Sequence, residues 1–214
     1  VFEFVEACMK LYSDKKINPS DDIMSAWITA ESEGLKDGSD FGLDQIISDC
    51  LLLLDGGAET TRTVIARSML NLANSPTQWE LLKGGADLEI AVEEFIRYVT
   101  PIHNMCRVAT EDYSIHGKTI RKGDQVVLMY SSANRDPEKF TNPEALDISR
   151  NPNHHIAFGF GTHFCLGASL ARLEIKLFFE QLIERVENFA LAGNPVEMPN
   201  AFVYGLASCP MDLT

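Results

Sequence analysis

The chain has 214 residues, of which 45% are apolar and 23% charged, a composition typical of a globular protein with a substantial core. Its formal net charge of −13 argues against nucleic acid and anionic membranes as partners. The longest apolar run, Cys50–Leu54, falls far short of the roughly 20 residues that a membrane-spanning helix needs.

The 5 cysteines are odd in number, widely spaced and without a Cys-x-x-Cys pair. That pattern offers neither a disulfide framework nor a zinc site, and it fits a reducing compartment. No signal-peptide pattern opens the chain at Val1. We therefore expect a cytoplasmic protein.

The first half of the chain is predicted to be helical. Helical spacing of apolar residues predicts helices over approximately residues 2–15, 23–33, 43–74, 76–83 and 87–100. Residues 34–42 are predicted to form a loop. The helix from Leu43 would be about 48 Å long at 1.5 Å per residue, and the pair Gly56–Gly57 interrupts it.

The second half combines short strands with one long helix. Residues 108–124 are predicted to form a hairpin, and residues 125–130 a strand or the entry to a helix. Residues 134–155 are rich in Pro, Asn and Asp and predict an ordered meander. A helix over about 168–186 and short strands beyond residue 189 complete the prediction of a mainly α fold with small β-sheets.

One segment, Phe158-Gly-Phe-Gly161-Thr-His163-Phe-Cys165-Leu-Gly167, places a cysteine on a glycine-built loop just before a predicted helix. The positive end of the helix dipole and nearby N–H groups favour the thiolate, which is the form that ligates metals. Aromatic side chains on either side would shield the sulfur from water. The segment therefore indicates a cysteine-ligated haem, and the alternative is a buried structural cysteine.

The segment Gly56-Gly57-Ala58-Glu59-Thr60-Thr61 is ambiguous by itself. Two glycines inside a helix cost about 1 kcal/mol each relative to alanine. They would allow a flat ligand to approach, or open the backbone to a water beside Glu59 and Thr60. The alternative is helix packing through the glycines, with Glu59 paired to Arg62.

Two further features have ordinary alternatives. Glu94 and Arg97 lie on one helical face, where an exposed pair would contribute only about 0.3–0.5 kcal/mol. Arg107 would be suited to an anionic group of a ligand, or it is simply an arginine at the start of a strand.

The order of these motifs, with Asn134-Arg-Asp-Pro137 between Arg107 and the cysteine segment, resembles the cytochrome P450 superfamily of bacterial soluble type over nearly the whole chain. The resemblance implies the cytochrome P450 fold, haem b as cofactor and Cys165 as the axial ligand of its iron. Arg107 and His163 match positions that bind the haem propionates, whereas a loop histidine with a local backbone bond is the alternative for His163. The residues implied to contact haem are Gly57, Arg107, Phe158, Gly161, His163, Cys165 and Gly167.

The resemblance also implies roles for the remaining motifs. Glu59 and Thr60 match the catalytic acid–alcohol pair that relays protons, and Glu94 and Arg97 match a buried structural brace. The residues that match the substrate pocket are Ile102, His103, Asn104, Met105, Phe202 and Val203.

The implied activity is monooxygenation, in which O2 is activated with electrons from a ferredoxin and a ferredoxin reductase. One oxygen atom would enter a C–H bond of a small hydrophobic substrate. A weaker resemblance to actinobacterial sterol-oxidising members suggests a steroid or lipid. The alternatives are a haem-thiolate peroxygenase or isomerase, and a non-catalytic fragment.

The chain departs from the family pattern in two ways. The run Pro143-Glu-Ala145-Leu-Asp147 lacks the meander arginine that completes the brace, so Arg150 or Arg135 substitutes for it or the brace is looser. The chain also enters the family pattern partway through. We therefore expect residues 1–214 to be the C-terminal part of one haem-binding domain whose N-terminal half is missing, with an exposed apolar surface and weak haem binding when alone.

Overall fold

The computed structural model describes residues 2–34 and 41–214. The chain divides into two compact units, Val1–Ala58 and Glu59–Thr214. Of the predicted loop over residues 34–42, the stretch 35–40 lies outside the described residues. Whether residues 1–214 form part of one haem-binding domain stays a prediction.

The first unit contains three helices, α1 (Phe2–Ile17), α2 (Ile23–Glu33) and α3 (Leu43–Ala58). Asp22 begins α2 as its N-cap, since its Oδ1 accepts a hydrogen bond from the Ser25 N–H at 2.8 Å. A small core of Tyr12, Met24 and Ile46 joins the three helices. Each helix follows the local spacing of its apolar residues.

The second unit contains the other helices, which are α4 (Thr60–Ala73), α5 (Pro76–Lys83), α6 (Leu88–Val99), α7 (Tyr130–Ala133) and α8 (Ala168–Arg185). Helix α6 packs against both α4 and α8. Its Phe95 is fully buried, with its ring centroid 4.6 Å from that of Phe179 on α8. Asp87 caps α6, and its carboxylate accepts from the N–H of Glu89 at 2.9 Å. The core of this unit therefore runs through α6.

The strands of the second unit form two-stranded antiparallel sheets. The paired strands are β1 (Asn104–Val108) with β4 (Gln125–Met129), β2 (Tyr113–Ile115) with β3 (Lys118–Ile120), β5 (Phe189–Leu191) with β8 (Met211–Leu213), and β6 (Val196–Glu197) with β7 (Leu206–Ser208). The β2–β3 turn has positive φ at His116 (48°) and Gly117 (73°), the backbone that a tight hairpin requires.

The predicted fold class, mainly helical with small sheets, is confirmed. The predicted break at Gly56–Gly57 is wrong, because both glycines remain helical at the end of α3 and the interruption falls at Glu59. The hairpin was predicted to start at residue 108, whereas β1 already begins at Asn104 and pairs with β4 across the β2–β3 hairpin. Within the described ranges, no helix is both long and apolar enough to cross a membrane.

Candidate functional site

Cys165 lies on a tight loop between a 3₁₀ turn, Gly161–His163, and the start of α8. Its N–H donates to the carbonyl of Phe158 at 2.9 Å, and its carbonyl accepts from Ala168 N–H at 3.3 Å. Gly159 and Gly161 both have φ of +74°, a conformation that glycine adopts without a steric penalty. The loop therefore presents its cysteine at the N-terminal end of α8.

The surface around Cys165 is apolar and exposed. Phe160 and Leu166 are 87% and 86% exposed, and Phe164 and Cys165 are exposed as well. A Cβ atom added at Gly161 or Gly167 would meet no atom of the described residues within 4 Å. An exposed thiol amid open apolar surface fits a large, flat, apolar group that takes a thiolate ligand, and haem is such a group.

The other residues implied to contact haem are distributed more widely. Phe158 and His163 lie in the cysteine loop, and Phe158 also packs against the core. Arg107 lies on β1, where its Nη1 donates to the neighbouring Cys106 carbonyl at 2.9 Å. Gly57 lies on α3, in the other unit. The structure thus brings together the loop residues, and no contact of Arg107 with them is observed among the described residues.

Glu59 precedes α4, and Thr60 is the first residue of that helix. Both carboxylate oxygens of Glu59 accept from Arg62 Nη2, at 2.6 and 2.7 Å, which is the pairing of the alternative interpretation. A Cβ added at Gly56 or Gly57 would meet no described atom within 4 Å outside its chain neighbours and the nearby backbone of its own helix. An exposed pair of this kind contributes about 0–1 kcal/mol, so Glu59 can exchange this partner at small cost.

Glu94 and Arg97 form a buried ion pair, with side chains that are both 0% exposed. Arg97 donates from Nε to one carboxylate oxygen at 2.7 Å and from Nη2 to the other at 2.8 Å. Its Nη1 reaches the carbonyls of Asn134 and Pro143, at 2.8 and 2.9 Å. The alternative of a solvated surface pair does not apply to these two residues.

Arg150 supplies the further donor that the meander lacks at Ala145. Its Nε donates to Glu94 Oε2 at 3.1 Å, and its Nη1 donates to the Thr141 carbonyl at 2.8 Å. Arg135, the other candidate, instead contacts Glu144 and the carbonyl of Tyr98. Glu94 also accepts from the N–H of Asp147 at 2.9 Å and from Asn153 Nδ2 at 3.1 Å.

The two segments predicted to line a substrate pocket lie side by side. Ile102 bridges to Val203, His103 N–H donates to the Phe202 carbonyl at 2.9 Å, and Asn104 Nδ2 donates to the Ala201 carbonyl at 3.0 Å. Met105 follows on β1 and is exposed. Burial, and then the nearby charges of Arg67 and Arg135, lower the pKa of His103 below its ordinary value. A neutral His103 ring suits an apolar pocket.

Arg67 was missed in the sequence analysis, although it fastens the pocket segment to α4. It is buried and pairs with Glu197, while its Nη2 donates to the Gly205 carbonyl at 3.1 Å. Its guanidinium lies 3.2 Å from the ring centroid of Tyr204, whose ring also packs on His103. One indication of this role was available in the sequence, which is that Arg67 lies on a face of α4 whose other residues are apolar or small.

The acid Glu93 was also missed in the sequence analysis. It contacts Arg172 and His155, which lie on opposite sides of the cysteine loop in the sequence. Glu93 directly precedes Glu94, and adjacent residues of a helix point in different directions. The motif that includes Glu94 therefore gave no information about the partners of Glu93.

Comparisons with known proteins point to one family. A model of the family described as Cytochrome P450 matches residues 88–209. The chain is 39% identical to a Steroid C26-monooxygenase of Mycolicibacterium smegmatis, over 99% of this chain and 52% of that protein. It is 40% identical to the Polyketide biosynthesis cytochrome P450 PksS of Bacillus subtilis, over 99% of this chain and 53% of the relative.

Solved structures agree as well. The crystal structure of CYP109E1 from Bacillus megaterium in complex with testosterone superposes with a TM-score of 0.88 at 33% identity, covering 98% of this chain and 57% of that one. The chain thus spans about half the length of the curated relatives it matches.

Proposed function

Because the chain belongs to the cytochrome P450 family, we propose that this protein is a haem-thiolate monooxygenase that inserts one oxygen atom of O2 into a C–H bond of a small hydrophobic substrate. The observation that carries the proposal is the exposed Cys165 on its glycine-built loop, set in open apolar surface at the start of α8. Haem b, when bound there, supplies the iron chemistry that activates O2.

The residues of the cysteine loop would hold the haem. Cys165 would provide the axial thiolate, and the absence of a side chain at Gly161 and Gly167 would let the flat group approach the backbone. Arg107 and His163 would donate to the haem carboxylates, because charge-assisted donors bind buried carboxylates strongly. The ring of Phe158 would add a further contact, and the role of Gly57 on α3 stays a prediction.

Glu59 and Thr60 would deliver protons. The Thr60 hydroxyl can both donate and accept, so Oγ1 would pass its own proton on as it takes another from a neighbour. Glu59 would resupply that proton, since its pair with Arg62 is partly exposed to water and weak enough to open. Glu94 and Arg97 would have no chemical role and would hold the meander in place.

The substrate would lie against Ile102–Met105 and Phe202–Val203, and we propose that it is a steroid or another lipid. The proposal is supported by the similarity to a protein named Steroid C26-monooxygenase and to a structure with testosterone. A ferredoxin and a ferredoxin reductase are proposed as electron donors. The cytoplasmic location stays a prediction that rests on the spacing of the cysteines.

The proposal is tested by turnover of the full-length protein with ferredoxin, its reductase and a nicotinamide cofactor, on a panel of steroids and fatty acids. Under isotopically labelled O2 we expect a product that carries one labelled oxygen atom, and none from Cys165→Ser. Absence of product from the whole panel would contradict the proposed substrate class. Product formed with hydrogen peroxide but never with the electron donors would instead identify a peroxygenase.

A further inference from the structure

Glu93 is the centre of a polar cluster to which none of the roles above applies. Arg172, on α8, donates from Nε to Glu93 Oε1 at 2.5 Å and from Nη2 to Oε2 at 3.0 Å. His155 Nε2 lies 3.0 Å from Glu93 Oε2, and its side chain is almost fully buried. The fork of two parallel bonds between arginine and carboxylate is both strong and directional.

The cluster keeps Glu93 ionised. Burial opposes its ionisation, but the hydrogen bonds from His155 and Arg172 outweigh burial and lower the pKa of Glu93 to about 2. The same contact raises the pKa of Arg172, in which the Glu93 bond outweighs the opposing effect of burial. A charged carboxylate on α6 therefore holds two side chains that come from either side of residues 158–165.

Both side chains held by Glu93 lie against Phe158. The Arg172 guanidinium is 4.5 Å from the centroid of the Phe158 ring, and the His155 ring centroid is 5.9 Å from it. The carbonyl of Phe158 is the acceptor for the Cys165 N–H, at 2.9 Å. The path from Glu93 to the cysteine backbone thus consists of two side chains, one ring and one hydrogen bond.

We propose that Glu93 is a positioning residue for the cysteine loop. It fixes Arg172 and His155, which confine the Phe158 ring and so set the peptide that accepts the Cys165 N–H. Any effect of Glu93 on haem ligation rests on the proposed function. Its effect on the order of the cysteine loop does not depend on haem.

The competing explanation is that Glu93 merely fastens α6 to α8. The chain offers a matched control, because Glu89 on α6 also pairs with α8, through Lys176 Nζ at 2.8 Å. Glu89 lies one helical turn before Glu93 and is mostly exposed, and Lys176 lies one turn beyond Arg172. If helix fastening were the whole effect, removing either acid would act in the same way.

The first test is amide hydrogen exchange in the peptide that spans residues 156–166. In Glu93→Gln we expect exchange of the Cys165 amide to become roughly tenfold faster, because the confining fork is lost, while Glu89→Gln stays within about twofold of the parent protein. Arg172→Lys keeps the charge but not the fork, so it should reproduce the Glu93→Gln result. Equal exchange in Glu93→Gln and Glu89→Gln, or parent-like exchange in Arg172→Lys, would overturn the proposal.

The second test is the absorbance of the reduced carbon monoxide complex in the full-length protein. Glu93→Gln and Arg172→Lys should both shift part of the sample from the thiolate-type band to the band of haem without a thiolate ligand, and Glu89→Gln should not. A parent protein without the thiolate-type band would contradict the proposed function, and hydrogen exchange would still decide the role of Glu93. If Glu93→Gln does not fold, Arg172→Lys provides the same comparison.

Discussion

The brace around Glu94 and the loop around Cys165 belong to the same unit, but the brace is buried and paired within the chain whereas the loop is exposed. Glu94 and Arg97 are fully buried, and Glu94 also accepts hydrogen bonds from Arg150, Asn153 and the Asp147 N–H. The cysteine loop has positive-φ glycines and exposes Phe160 and Leu166 almost completely.

This difference in burial indicates a structural role for the brace and a binding role for the cysteine loop. A buried charge is costly unless it is paired and hydrogen-bonded, and residues of the chain itself provide those partners for the Glu94 carboxylate. Exposure of aromatic and leucine side chains to water is unfavourable, so the apolar surface of the loop is suited to binding a group from outside the chain. We therefore expect mutations in the brace to affect folding, and mutations in the loop to affect what the protein binds.

The largest effect is expected from Glu94→Ala. The substitution leaves Arg97 buried without its counter-charge, which costs about 3–5 kcal/mol of unfolding free energy. Chemical denaturation followed by circular dichroism measures this loss, with Glu89→Ala as the exposed control on the same helix. A loss below about 1 kcal/mol would show that the brace is not a buried ion pair.

Arg150 and Arg135 were both candidates for the missing meander arginine, and their substitutions should differ in their effect on the free energy of unfolding. Arg150→Ala removes a charged hydrogen bond to Glu94 and is expected to cost about 1.5–3 kcal/mol. Arg135→Ala removes a mostly exposed contact with Glu144 and bonds to the Tyr98 and Ser131 carbonyls, and should cost about 1 kcal/mol. The same denaturation experiment compares them, and the reverse order would contradict the assignment of Arg150 to the brace.

Gly161→Ala tests whether the loop depends on backbone conformation. No described atom lies near the added methyl group, so the cost comes from the φ of +74° and is about 1 kcal/mol. Gly167→Ala, with its φ of −85°, is the matched control and should be near neutral for stability. Equal losses in the two variants would indicate that crowding, rather than φ, limits the position.

The effect confined to the narrowest range of conditions is the pH dependence that Glu93 contributes, since it appears only in acid. Its folded-state pKa of about 2 lies below its ordinary value of 4.5, so its contribution to stability is fully present above pH 4.5 and is lost as the pH falls toward 2. The difference in unfolding free energy between the parent and Glu93→Gln should therefore be constant near neutral pH and shrink below pH 4.5. A difference that grows on acidification would contradict the ion pair.

Local patterns determined what could be predicted. Helices such as α2 and α5 follow from residue spacing and caps within one short segment, and the cysteine loop follows from ten consecutive residues. The start of strand β1 was misplaced because its partner β4 lies beyond an intervening hairpin. A pattern within β1 alone cannot specify that pairing.

Side chains that join distant segments were the hardest to predict. Arg67 and Glu197 are 130 residues apart, and Glu93 and Arg172 are 79 residues apart. Arg150 could not be chosen over Arg135, because both lie in irregular segments whose course depends on tertiary contacts. The motifs indicated which residues matter for chemistry, and only the structure identified the residues that position them.

The central claim is that Cys165 serves as a thiolate ligand to haem rather than as a structural cysteine. The most direct measurement is the carbon monoxide difference spectrum of the reduced full-length protein beside that of Cys165→Ser. The account predicts the thiolate-type band in the parent protein and its loss in a Cys165→Ser variant that remains folded. A parent protein without that band, or a Cys165→Ser variant that retains it, would contradict the claim.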